Sequence, residues 1–260
     1  MSDLMKVYCI NLDRRPDRLA HMTEQFERLG VDFVRVPAVD GQDTKVQAEA
    51  ERLGHERSGQ PGGAGTFACF QSHKEIWRTL VKSGDSFAIV LEDDVLVADR
   101  IVEYLSVDWI PANAHIVKLE TNKNRIHLCA TSSTKVPEYP LQRLYSAHLG
   151  TGGYIISRKT AQKLLADTKS FDLAVDRYLF SPESKMFSEL LIYQMVPAPV
   201  IQGDKAKVES DWVKTSITDR QGAPNFCGKR ERLLKRTSRR LREEIRAIRQ
   251  GTRYVVVPFG

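Results

Sequence analysis

Apolar residues recur with changing period along the chain, and each change predicts an element. Val7 to Ile10 is a short apolar run ending in Asn11, Leu12 and Asp13. Leu19, Met22, Phe26 and Leu29 then follow at intervals of three, four and three, which predicts strand, turn and amphipathic helix. Asp13 is placed to cap that helix near Pro16, and Gly30 to close it before a second β-like run, Phe33 to Val36. The opening is therefore read as a β-α-β unit. Residues 44–54 carry a helical pattern, whereas Ser58 to Gly65 is rich enough in glycine to predict a loop that could serve as a lid. Phe67, Phe70, Trp77, Leu80 and Val81 mark a helix over residues 66–81. Phe87 to Leu91 is then a buried strand cut off by Glu92, Asp93 and Asp94, as at a strand end that opens onto a ligand crevice. His115 to Leu119 predicts another strand, followed by a less regular span to about Leu141. Gly150 to Gly153 introduces a strand at Tyr154 to Ser157 and a helix from Lys159 to about Ala166. The glycines permit positive φ or close backbone approach.

At 260 residues, with 42% hydrophobic and 28% charged residues, the composition is that of a soluble globular protein. The expected organisation is one domain over residues 1–228 with a tail over 229–260. No apolar run approaches the ~20 residues that span a bilayer, and the first residues lack a basic-then-apolar leader, so a cytoplasmic location is expected. Cys9, Cys69, Cys129 and Cys227 are too widely spaced for a zinc cage or disulfide framework, and Cys9 and Cys69 read as small core residues. The net charge of +6 is local: residues 229–250 hold ten Lys or Arg and three Glu, leaving the rest near neutrality. Leu234, Leu241, Ile245 and Ile248 form one stripe of that basic segment, the pattern of a helix lying on an anionic membrane surface. Docking on the protein's own acidic surface, or on a second copy in a homodimer, is the competing reading. Nucleic acid is not expected as a partner, because the segment lacks interleaved aromatics.

Three adjacent carboxylates repel one another and need a cation or shifted pKa values to coexist in a partly buried place. Oxygen-only ligands select a hard ion such as Mg²⁺ or Mn²⁺ and leave room for phosphate oxygens. The plainer reading is a solvated acidic turn. His73, three residues after Phe70 and four before Trp77, shares the apolar face of its helix and by itself reads as a hydrogen-bonded core group.

Three segments together resemble glycosyltransferase family 25. They are Asn11 to Arg18 with Ala38 to Gly41, then Ser72, His73 and Trp77 with Val90 to Val95, and Thr151 to Ser157 with Ala161, Leu164 and Leu165. The resemblance implies a GT-A fold, a Rossmann-like mixed sheet flanked by helices that binds a UDP-sugar at its strand ends. It implies an inverting, metal-dependent transfer of a hexose, galactose or glucose, to a lipopolysaccharide-type glycan or glycolipid, at the inner membrane. It makes Asp94 and Glu92 the metal ligands, with Glu92 or Asp93 facing the ribose or metal-bound water. Asn11, Asp13, Arg18, Asp40, Ser72, His73 and Gln202 become donor contacts, and Asp176 the base for the acceptor hydroxyl, with Asp172 and Glu120 as competitors. The family's usual Gly-Cys before Ser-His is Ala68-Cys69 here. A non-catalytic GT-A-like scaffold that holds nucleotide or glycan is the reading from another class; a Mg²⁺-dependent phosphotransferase is a further enzyme reading.

Overall fold

The computed structural model describes residues 4–54, 63–132, 140–167, 173–213 and 251–260. β1 (Lys6–Asn11) leads through α1 (Pro16–Leu29) to β2 (Val34–Pro37), and α2 (Thr44–Arg52) and α3 (Gly63–Ser83) precede β3 (Phe87–Glu92). There follow β4 (Val95–Val97), β5 (Ile116–Lys118), β6 (Glu120–Thr121), β7 (Arg125–Cys129) and β8 (Leu141–Arg143). Then come β9 (Gly153–Ser157), α4 (Arg158–Ala166), α5 (Val175–Phe180), α6 (Lys185–Glu189), β10 (Ile192–Met195), β11 (Val200–Gln202), α7 (Gly203–Ala206) and β12 (Thr252–Val256). Seven strands form one sheet in the order β2-β1-β3-β9-β5-β10-β8. β1 runs parallel to β2 and β3, while β9 is antiparallel to both β3 and β5, so the sheet is mixed and flanked by helices as expected.

The pattern of β3 explains its central place. Ala88 and Val90 point into a core shared with Tyr8, Trp77 and Leu80, whereas Ile89 and Leu91 join Val7, Cys9, Met22 and Phe26 on the other face. A strand covered on both faces reads as a continuous apolar run. Leu91 is fully buried, and truncation to Ala would cost about 2–5 kcal/mol. α1 ends as expected at Gly30, whose φ of +65° lets its N–H reach the Glu27 carbonyl. At the carboxyl end of β3 the chain turns through Asp93 and Asp94 into β4, which belongs to a second, small sheet of order β4-β11-β6. The acids thus lie where two sheets meet.

Four expectations change. α3 begins at Gly63 and takes in three residues expected as loop; residues 55–62 lie outside the described set. A Cβ on Gly41 would lie 2.8 Å from Gly65 Cα, so tertiary contact, not propensity, fixes this helix start. Asp13 does not cap α1: Arg15 holds that position, and Asp13 pairs with Arg35. The span before Leu141 contains β7, whose antiparallel partner is β12, more than a hundred residues away. Residues 251–260, grouped by sequence with the basic tail, therefore return to the body, where Val257 is buried. Residues 229–250 and Cys227 lie outside the described residues.

Candidate functional site

A cleft of about 650 Å³ opens at the carboxyl ends of β1 and β3, walled by the turn after β2 and by α3. Arg18, Asp40, Ser72, His73, Glu92, Asp93 and Asp94 all line it. Seven of the sequence-predicted residues are thus brought to one cavity by four different elements.

The three acids have different surroundings. Asp93 is buried and committed: Asn11 Nδ2 donates to Oδ2 at 2.7 Å, and Arg18 Nη1 to Oδ1 at 2.8 Å. Arg18, itself buried, also stands 3.3 Å from Asp94 Oδ2 and donates through Nε to the Trp212 carbonyl. Arg14 Nε donates to Asp40 Oδ2 at 2.7 Å. Glu92 accepts from Thr151 Oγ1 at 2.5 Å and from His73 Nε2 and Gln202 Nε2 at 3.3 Å each. Burial would push its carboxyl up, but the His73 and Thr151 hydrogen bonds and nearby positive charge outweigh it and hold it below the usual range. Asp94 behaves oppositely. Burial, then the Glu92 charge, pushes its carboxyl up to about 7 despite Arg18, and Oδ1 is buried without a hydrogen-bond partner. Three acids against one guanidinium, with an orphaned carboxylate oxygen, suit a hard cation that accepts oxygen ligands.

His73 is held from behind. Its Nδ1 lies 2.9 Å from Tyr154 Oη, which also accepts from Trp77 Nε1 at 3.0 Å. The core reading of His73 and its place in the site are therefore both satisfied, since the ring joins a buried relay to Glu92. Ser72 ties α3 to the turn after β2: its hydroxyl donates to the Ala68 carbonyl and accepts from Val39 N–H. Asp40 stabilises its own turn by accepting from Gln42 N–H. Asn11, besides holding Asp93, accepts from Arg35 Nε at 2.9 Å.

The Gly150–Gly153 segment wraps a buried ion pair whose lysine carries no role in the sequence reading. Lys118 and Glu120 are both fully buried and paired at 3.1 Å, with Lys118 Nζ 4.1 Å from the Phe180 ring centre. Gly150 has φ +103°, and a Cβ there would meet Glu120 Oε1 at 2.7 Å; Gly152 N–H donates to Glu120 Oε2 at 3.0 Å. The glycines thus serve close approach to a carboxylate. Burial pushes the Glu120 carboxyl up, against the Lys118 charge. Lys and Glu two apart in an extended apolar run share a face, the signal that could have revealed the pair. Asp176 is not a lining residue of the cleft: its Oδ2 accepts from Gly150 N–H at 3.2 Å and its Oδ1 from Arg177 N–H. Through these two N–H groups its carboxylate anchors the loop. Glu120 is sealed under the loop, and Asp172 lies outside the described residues. Cys69, expected in the core, is half-buried and lines the cleft beside His73.

Fold and cleft define an α/β protein whose ligand crevice lies at the carboxyl ends of neighbouring parallel strands. The profile of Glycosyltransferase family 25 (LPS biosynthesis protein) matches residues 5–179, and the chain belongs to that family: it is a glycosyltransferase. It is 32% identical over 248 residues to the lacto-N-neotetraose biosynthesis glycosyltransferase LgtB of Neisseria meningitidis serogroup B, covering 91% of this chain and 86% of that protein. It is 30% identical over 210 residues to LgtE of Neisseria gonorrhoeae, covering 75% of this chain and 72% of the relative. A solved glycosyltransferase involved in glycosylation of the major capsid of PBCV-1 superposes with a TM-score of 0.46 at 9% identity, over 79% of this chain and 97% of that one.

Proposed function

We propose that the protein transfers a hexose, galactose or glucose, from a UDP-sugar to a lipooligosaccharide-type glycan, with inversion and with a divalent cation, Mn²⁺ or Mg²⁺, bound at Asp94. The observation that carries this is the buried, unpartnered Asp94 Oδ1 among three acids at the head of a nucleotide-sized cleft. The relatives support the acceptor class, since LgtB and LgtE are lacto-N-neotetraose biosynthesis glycosyltransferases. A cation held there supplies neutralisation of the charge that develops on a departing diphosphate.

The chain's own residues divide the remaining work. Asp94 offers the free oxygen, with Glu92 behind it as a second acid. Asn11 and Arg18 fix Asp93, so the turn that carries Asp94 is rigid before ligand arrives. Such preorganisation lets charged groups act without reorienting. Arg18, already between Asp93 and Asp94, places a guanidinium at the cleft wall where phosphate oxygens would come. Gln202 and His73 hold Glu92, and Thr151 joins that carboxylate to the glycine loop anchored by Asp176. Asp13 and Asp40 are held by Arg35 and Arg14, which makes them supports of the cleft rim in this reading.

The basic segment 229–250 is proposed, from its sequence alone, to hold the enzyme against an anionic membrane where a lipid-linked acceptor resides. Among the described residues no helix is long and apolar enough to cross a membrane.

The test is incubation with UDP-galactose or UDP-glucose, Mn²⁺ and glycolipid acceptor, followed by analysis of both products. UDP release with an inverted anomeric linkage is expected. Release of UMP or inorganic phosphate would contradict sugar transfer from this donor class, and nucleotide binding without turnover on any acceptor would favour a scaffold.

A further inference from the structure

The geometry points to a second cation site, of different chemistry, formed by Cys69, His73 and Glu92. Cys69 and His73 stand four apart on α3 and so present their side chains on one helical face. Glu92 closes the third corner from the end of β3. One ligand atom from each, thiol sulfur, imidazole nitrogen and carboxylate oxygen, lie within 4.8 Å of one another. All three residues line the cleft, which leaves a fourth position for water or a ligand atom.

This donor set differs from the all-oxygen corner at Asp94. A thiolate and an imidazole favour a borderline-soft ion, and with one carboxylate and an open position they match four-coordinate Zn²⁺ far better than Mg²⁺ or Mn²⁺. The support behind the ligands is already built. With an ion on Nε2 the ring proton resides on Nδ1 and is donated to Tyr154 Oη, 2.9 Å away, the kind of outer partner that fixes a metal-bound imidazole, and Trp77 Nε1 donates to the same oxygen. The His73–Glu92 contact, which an ion would replace, is long at 3.3 Å, whereas the 2.5 Å bond from Thr151 remains free to orient the carboxylate. A Zn²⁺ ion held here shares Glu92 with the acidic turn and adds positive charge beside Asp94. It therefore weakens binding of a second divalent cation there, which makes the site inhibitory. The zinc site itself does not depend on the UDP-sugar reading.

The test uses the full chain and metal alone. Zn²⁺ affinity is measured by competition with a chromophoric chelator, and Co²⁺ is titrated as a spectroscopic stand-in. One tight ion per chain is expected, with a thiolate-to-cobalt charge-transfer band and the strong visible bands of four-coordination. Cys69→Ser abolishes the charge-transfer band and weakens Zn²⁺ by at least a hundredfold, and His73→Gln weakens it comparably, while Asp94→Asn retains tight Zn²⁺. Cys69→Ala, checked by its unfolding curve, guards against a folding defect in the serine variant. Equal Zn²⁺ affinity in Cys69→Ser and the parent, a cobalt spectrum without the charge-transfer band, or loss of Zn²⁺ in Asp94→Asn alone would overturn the assignment.

Discussion

Lys118→Met removes the cation from a fully buried pair and leaves Glu120 in place. Lys118 Nζ stands 3.1 Å from Glu120 Oε2 and packs on the Phe180 ring, and Met retains most of that apolar contact. Breaking a buried pair on one side costs about 3–5 kcal/mol, because the remaining charge is uncompensated. Proton uptake by Glu120 sets a ceiling: neutralising a carboxyl of ordinary pKa near 4.3 at pH 7 costs about 3.7 kcal/mol. The expected loss is therefore about 3–4 kcal/mol in urea unfolding at pH 7, with an unchanged denaturant slope. The double variant Lys118→Met/Glu120→Gln should recover at least about 2 kcal/mol, because the amide carries no charge to strand. Direction with pH follows from the raised Glu120 pKa in the folded state. A group raised on folding contributes most below its unfolded pKa and loses that contribution as pH rises through the folded one. Without Lys118 the folded value rises further, so the variant's deficit shrinks on acidification. A loss below about 1 kcal/mol, or a double variant as unstable as the two singles combined, would refute the reasoning. The same experiment bears on the site, since the pair holds the glycine loop whose Thr151 bonds Glu92.

Burial, then the Lys118 charge, pushes His148 down to about 3, so its stabilising contribution is full above pH 6.5 and lost as pH falls toward 3. Between pH 6.5 and 4.5 the protein should lose about 2.3 kcal/mol that a His148→Gln variant does not; parallel stability curves would count against this. Asp176→Asn should lower kcat less than tenfold, because its carboxylate is engaged by Gly150 and Arg177 N–H groups. A loss of ~10²–10⁴ would instead assign it as the general base. Replacing the ten basic residues of 229–250 by Gln, while keeping the β12 strand that pairs with β7, should weaken binding to anionic vesicles at least tenfold and leave UDP release unchanged. Undiminished vesicle binding would defeat the membrane role.

Elements whose stability is local were legible in the sequence. α1 carries its period, proline and terminal glycine within fifteen residues, and β3 is a run that only burial on both faces explains. β7 and β12 were not, because each is defined by a partner more than a hundred residues distant, and neither pattern is distinctive alone. At the site, residue types and order identified the cavity, since Arg18, Asp40, Ser72, His73 and the acids converge on it. Their division of labour was hidden. Only in the folded chain do Asn11 and Arg18 consume Asp93, does Ser72 act as a strut, and does Asp94 keep a free oxygen. The hydrogen bond from Gly150 N–H to Asp176 is likewise invisible in chain order.

Titration of UDP-hexose into the protein by calorimetry, with Mn²⁺ and then with chelator, measures the central claim directly. Binding should require the cation and fall at least a hundredfold in Asp94→Asn, whose unfolding curve stays close to that of the parent. Equal affinity with and without Mn²⁺, or undiminished binding by Asp94→Asn, would contradict a cation at that carboxylate.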